Sequence, residues 1–172
     1  AERAARGAEE HNRWSARVSV ARGGRLDAAI DRAMEALNTS VDVDSALWRE
    51  DIAGSVAHAR GLARAGVISA DEAEALVAGL GQVAAEIERG EMVWDRAKED
   101  VHMNIEARLT AIVGSVGGKL HTARSRNDQI ATDLRLYCRR RAQETLAALD
   151  DLGRAVVAQA EREIDTLMPS YT

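Results

Sequence analysis

Phenylalanine is absent, proline and cysteine each occur once, and aromatic residues make up only 3% of the 172-residue chain. The lone Cys138 excludes an internal disulfide framework and any cysteine-rich zinc site, and it suits a reducing compartment. A single proline leaves room for long unbroken helices. No apolar run approaches the roughly 18 residues a membrane helix needs, so no membrane partner is expected. The formal net charge of -5 lacks the basic excess of a nucleic-acid binder, yet it allows a local cationic pocket. No strand alternation and no internal repeat is visible.

What is present is apolar residues at 46%, mostly Ala, Leu, Val and Ile, with charged residues at 30%. That balance belongs to a globular chain and is rich in helix formers. The length is enough for one ordinary domain with a core. The chain opens on Ala1, and its first residues lack the apolar centre of a secretory signal. An Arg- and Ala-rich start resembles the remnant of a transit peptide, against which Glu2, Glu9 and Glu10 count. The abrupt end "DTLMPSYT" adds to the expectation of a fragment at both ends.

Residues 1 to 25 lack periodicity and read as an extended arm. From Leu26 the spacing of Ile30, Ala33, Met34 and Leu37 predicts a helix. "NTSVDVDS" interrupts it, with Asp44 or Ser45 as N-cap of a second helix through Leu47, Ile52, Val56, Ala59 and Leu62, stopped at Gly66. "SADE" is a capping box at Ser69 and Glu72, opening a helix that ends at Gly90. "EMVWDRAKED" reads as a loop. Asp100 opens a short helix through Ile105, Leu109 and Ile112, ended by Gly114. From about Ser125 to Thr166, apolar steps of three and four run without a break. That is a helix of roughly 40 residues and about 60 Å, which needs partners along its length.

Between the last two helices lies "GGKLHTARSRNDQ". A phosphate loop is excluded: Val113 stands where its first glycine belongs and Leu120 where its hydroxyl belongs. His11, His58, His102 and His121 show no metal-binding spacing, so neither a metal nor another cofactor is expected. Singly, each polar residue has a bland reading. His58 satisfies a local hydrogen bond, His121 caps the preceding helix, Arg124 pairs with an acidic neighbour, and Ser125 with Asp128 forms a capping box. Together they carry more. Arg124 and Arg126 are planar donors suited to carboxylates, and Ser125 and Asn127 add neutral donors. All sit where a helix N-terminus favours anions. The cluster predicts a small anionic ligand, a di- or tricarboxylate.

"GGKLHTARSRNDQIATDLRLY" resembles the signature of the argininosuccinate lyase family, in the fumarase/aspartase superfamily. "LNTSVDVDSALWREDIAGSVAHARGLARAGVIS", "EDVHMNIEARL" and "MPSYT" resemble further blocks of the same family, so the resemblance covers nearly all of residues 26 to 172. It implies an all-α fold: an N-terminal helical domain at 26–112, then the signature turn and the first long helix of a central bundle at 113–172. It implies elimination of fumarate from argininosuccinate to leave arginine, in a homotetramer whose active sites are shared between subunits. The cytoplasm is the implied compartment, with a plastid as the alternative.

Carried over by position, the resemblance implies substrate contacts for Ser40, Asp100, Ser125, Arg126, Asn127 and Thr172. Asp44, His102, Thr122 and Arg124 take supporting places, with His102 orienting groups in the pocket. The family's catalytic histidine would follow Thr172 and its catalytic serine would come later, so the chain has no catalytic residue and is expected to be inactive alone. Two positions depart from the pattern. Ala123 stands where the family has glycine, a costly change if the backbone there has positive φ. "WSARV" replaces the family's early W-G-G-R-F. The competing readings are a sister lyase of the adenylosuccinate lyase or aspartase type, a crystallin-like structural protein on the same scaffold, and a plain helical interaction module.

Overall fold

The computed structural model describes residues 32–170. The arm at 1–25, the helix start at Leu26, the "WSARV" segment and Thr172 lie outside the described residues. Every regular element among those described is helical: α1 (Arg32–Asn38), α2 (Val41–Asp44), α3 (Trp48–Arg64), α4 (Ala70–Glu88), α5 (Val101–Val113) and α6 (Arg126–Arg162). Short 3-10 turns at Ser45–Leu47, Arg96–Lys98 and Gly114–Lys119 join them. The middle one lies in the segment expected as a loop, and the last extends α5 where an irregular turn was expected.

α4 packs against both α3 and α5, and α6 lies along α3. The core is the shared apolar face of α3, α4 and α5: Ala59, Leu62, Leu76, Leu80, Val83, Val101, Ile105 and Leu109. Fully burying each Leu, Ile or Val stabilises the fold by roughly 1.5–3 kcal/mol before the entropy of ordering is set against it. Leu120, beyond the 3-10 turn, joins the same core. α4 and α5 approach closely at Gly79, where an added Cβ would lie 2.5 Å from Val113 Cγ1 and 2.6 Å from Leu109 Cδ1.

The helix ends follow the local chemistry read from the sequence. Ser69 and Glu72 form the reciprocal capping box at the start of α4. Gly66 and Gly90 both take φ +71, the left-handed geometry that ends a helix at little cost in glycine alone. Asp44 and Ser45 do not cap a new helix. The chain is already helical from Val41 and passes through the 3-10 turn directly into α3. The carboxylate of Asp44 instead accepts from the Ser40 hydroxyl four residues back and from the distant Val101 N–H.

α6 runs for 37 residues, or about 55 Å. It ends at Arg162, short of the expected Thr166; nothing among the described residues packs there. Its first turns rest on α3. Farther along, Leu149, Leu152 and Val156 are each at least 57% exposed. A face this apolar on a helix this long is unusual in open solvent.

Candidate functional site: an anion-facing turn on a buried polar cluster

Three segments distant in sequence meet beside the N-terminus of α6. Ser40 donates its hydroxyl to Asp44 Oδ2 at 2.6 Å, and Asp44 Oδ1 accepts the Val101 N–H at 3.0 Å. The Ser40 and Val41 N–H groups both donate to the Glu99 carbonyl, at 2.8 and 3.0 Å. Glu99 itself has φ 56 and ψ -61, and the Asp100 N–H closes a tight turn onto the Lys98 carbonyl at 2.6 Å. Such a γ-turn is strained in a residue with a Cβ. Asn104 braces the loop by donating to the Asp95 and Asp100 carbonyls.

Asp100 caps α5 as expected, its Oδ1 accepting the Met103 N–H at 2.7 Å. Its other oxygen lies 3.5 Å from Arg126 Nε, which joins the second segment to the third. Ser125 caps α6, accepting the Asn127 N–H at 3.2 Å, while the Asp128 carboxylate accepts the Ser125 N–H at 3.5 Å. The hydrogen bond from its own backbone N–H, then those of Ser125, hold Asp128 below the usual carboxylate range. The first N–H groups of α6 are therefore partly satisfied by the chain itself. Cations at a helix N-terminus oppose its dipole, so Arg124 and Arg126 need carboxylates nearby.

Of the three residues beside this turn, His102 is buried, Arg124 is half-buried and Thr122 is exposed. Arg124 Nη1 donates to Ser55 Oγ at 2.9 Å, not to an acidic neighbour. The Thr122 carbonyl is 2.9 Å from His58 Nε2, so His58 serves a contact 64 residues away and not a local one. His102 is 2% exposed. Its Nδ1 lies 2.8 Å from Asp51 Oδ1 and 3.6 Å from Asp133 Oδ2. Gln129 donates to the same Asp51 oxygen. A cavity of about 10 Å³ adjoins the group, too small for a substrate.

Burial alone would raise both carboxyl groups. For Asp51 this is outweighed by the hydrogen bond and charge of His102, the Gln129 hydrogen bond and the Arg124 charge, which hold it low. For Asp133, burial and the Asp51 charge win, and its carboxyl is pushed up to about 7. Ligand atoms of Asp51, His102 and Asp133 lie within 4.8 Å of one another, a spacing a metal ion accepts. His102 Nδ1 is engaged with Asp51, while His102 Nε2 and both Asp133 oxygens are buried without a hydrogen-bond partner, and the Arg124 charge acts on both carboxylates. The group is a buried cluster of two carboxyl groups and an imidazole, hydrogen-bonded between His102 and Asp51 and beside the Arg124 charge.

Asp51 and Asp133 escaped the sequence reading, and Gln129 was read only as part of the signature turn. A signal was there: Asp51 with Ser55, and Gln129 with Asp133, are polar pairs four residues apart on two amphipathic helices, the spacing of one face.

The chain matches the family model described as Lyase over residues 24–172. The chain belongs to this lyase family. Its described helices have the all-α fumarase/aspartase fold. Among curated relatives, the argininosuccinate lyase of Syntrophotalea carbinolica is 49% identical over 149 residues, covering 87% of this chain and 32% of the relative. That of Maridesulfovibrio salexigens is 52% identical over 150 residues, with 87% and 33% covered. That of Thermus thermophilus is 51% identical over 152 residues, with the same coverage, 87% and 33%. This lyase chain thus spans about a third of the length of the curated relatives it matches. No helix among its described residues is long and apolar enough to cross a membrane.

Proposed function

We propose that this chain is the carboxylate-binding part of an argininosuccinate lyase, which eliminates fumarate from argininosuccinate and leaves L-arginine. The observation that carries the reading is the 3.5 Å approach of Arg126 to Asp100, next to the carbonyl of Glu99 that holds Ser40. Elimination removes a proton from the carbon beside a carboxylate, and negative charge then grows on that carboxylate before the C–N bond breaks. Donors fixed in advance around the growing charge lower the barrier. Ser125, Arg126 and Asn127 take that task. Ser40, Asp100 and Thr172 bind the remainder of the substrate, with Asp44, His102, Thr122 and Arg124 behind them.

The proton-transfer histidine and serine come from sequence outside these residues, and the chain alone releases no fumarate. No cofactor is needed for this chemistry. The reading includes a homotetramer with shared active sites, in which the exposed apolar face of α6 packs against other subunits, and it includes the cytoplasm as compartment. The test is fumarate absorbance with the complete gene product and argininosuccinate, beside Asn127→Ala. Release by the wild type, and loss of most of it in the variant, is expected. A folded wild type that releases no fumarate would overturn the proposal.

A further inference from the structure

Only two residues of α6 are fully buried, and both are polar: Gln129 and Asp133. A long helix seated only by an apolar stripe can slip by one turn, because i, i+3 and i+4 positions present much the same face again. Polar groups with one fit do not allow that. On α3, Asp51 receives Gln129 of α6 and faces Asp133 across His102 of α5. Gly54 permits the close approach: an added Cβ there would lie 3.3 Å from Asp133 Oδ1 and 3.4 Å from Arg124 Nη2. Two turns farther along, Arg140 forks onto the buried Glu50 at 2.6 and 3.4 Å. The α3–α6 contact is therefore a row of specific polar pairs where a stripe of leucines would be expected.

We propose that Asp51, His102, Gln129 and Asp133 are positioning residues that set the axial register of α6, and so place Arg126 opposite Asp100. A buried charged group of this kind is weak in net stability and strong in specificity. Replacing Gln129 and Asp133 together by leucine should then free the helix to slip, with some loss of stability because the buried Asp51 keeps its charge and loses the Gln129 hydrogen bond. The register itself is measurable without any activity. Spin labels go on Cys138 of α6 and on a cysteine introduced at the exposed position Glu74→Cys of α4.

The labelled 172-residue chain should give one narrow distance distribution. Gln129→Leu with Asp133→Leu should broaden it, or add a population displaced by about 5.4 Å, one helical turn, with helicity retained. If the double variant does not fold, Gln129→Met removes the Asp51 hydrogen bond at nearly constant volume and should broaden the distribution in the same way. A single narrow distribution at the wild-type distance, in either folded variant, would overturn the proposal. The catalytic consequence rests on the function proposed above: kcat/KM of the complete gene product should fall about tenfold. The distance measurement separates the two ideas, because register is read whether or not fumarate is released.

Discussion

Arg126 Nε lies 3.5 Å from Asp100 Oδ2, while the other oxygen of Asp100 caps α5 at the Met103 N–H. One carboxylate thus ties the first residue of α6 to the start of α5. The guanidinium is aligned by this pair yet remains partly exposed, which leaves donors for a ligand carboxylate. Arg126→Lys keeps the charge and loses the planar fork. Charge-assisted hydrogen bonds contribute about 1.5–3 kcal/mol. In the complete gene product, kcat/KM with argininosuccinate should therefore fall about tenfold to a hundredfold, with Tm nearly unchanged. A variant within about twofold of wild type would show that Arg126 holds no substrate carboxylate.

Ala123 has φ 55. This is the left-handed region, which costs an L-residue with a Cβ roughly 1–2 kcal/mol. Glycine removes that strain but gains freedom in the unfolded chain, worth about 0.4–1 kcal/mol the other way. Ala123→Gly should therefore stabilise the chain by about 0.5–1 kcal/mol, read as a higher urea midpoint at unchanged slope.

Gly79 sits mid-helix in α4, where alanine is intrinsically better by about 1 kcal/mol. Packing decides against it, because the added Cβ would fall within 2.6 Å of Val113 and Leu109. Gly79→Ala should destabilise by about 1–3 kcal/mol in urea unfolding. Gly81→Ala on the same helix meets nothing within 4 Å. It should instead stabilise, so the pair separates propensity from packing.

Asp133 titrates near 7 in the folded chain, against 3.8 for an unperturbed carboxyl. Between those values the native state binds the proton more tightly than the unfolded chain. Stability from this group therefore falls as pH rises through that window. Asp51 has the opposite sign: its depressed carboxyl contributes above the unfolded value and is lost only in stronger acid. Asp133→Asn should flatten the decline between about pH 4 and pH 7. Urea midpoints of wild type and variant at about pH 5 and about pH 8 measure the difference directly.

Local chemistry was legible in the residue order. The capping boxes at Ser69 and Ser125, the cap at Asp100, the stops at Gly66 and Gly90 and the long period of α6 each depend on groups within a few positions of one another. The core face of α3, α4 and α5 follows from the same helical period. The signature turn was also legible, because its donors are contiguous.

Partners far apart in sequence were decided by tertiary structure alone. Asp44 was read as a local cap and instead reaches Val101, 57 residues on. Glu99 drew no notice, since nothing in a sequence shows that its backbone is strained to hold Ser40. His102 was singled out only through the family resemblance, and nothing in the sequence tied it to Asp51 and Asp133 on two other helices, with which packing buries it. Periodicity determines which face of a helix turns inward. Only the meeting of the helices determines which polar groups on that face find each other, and there burial shifts their proton affinities.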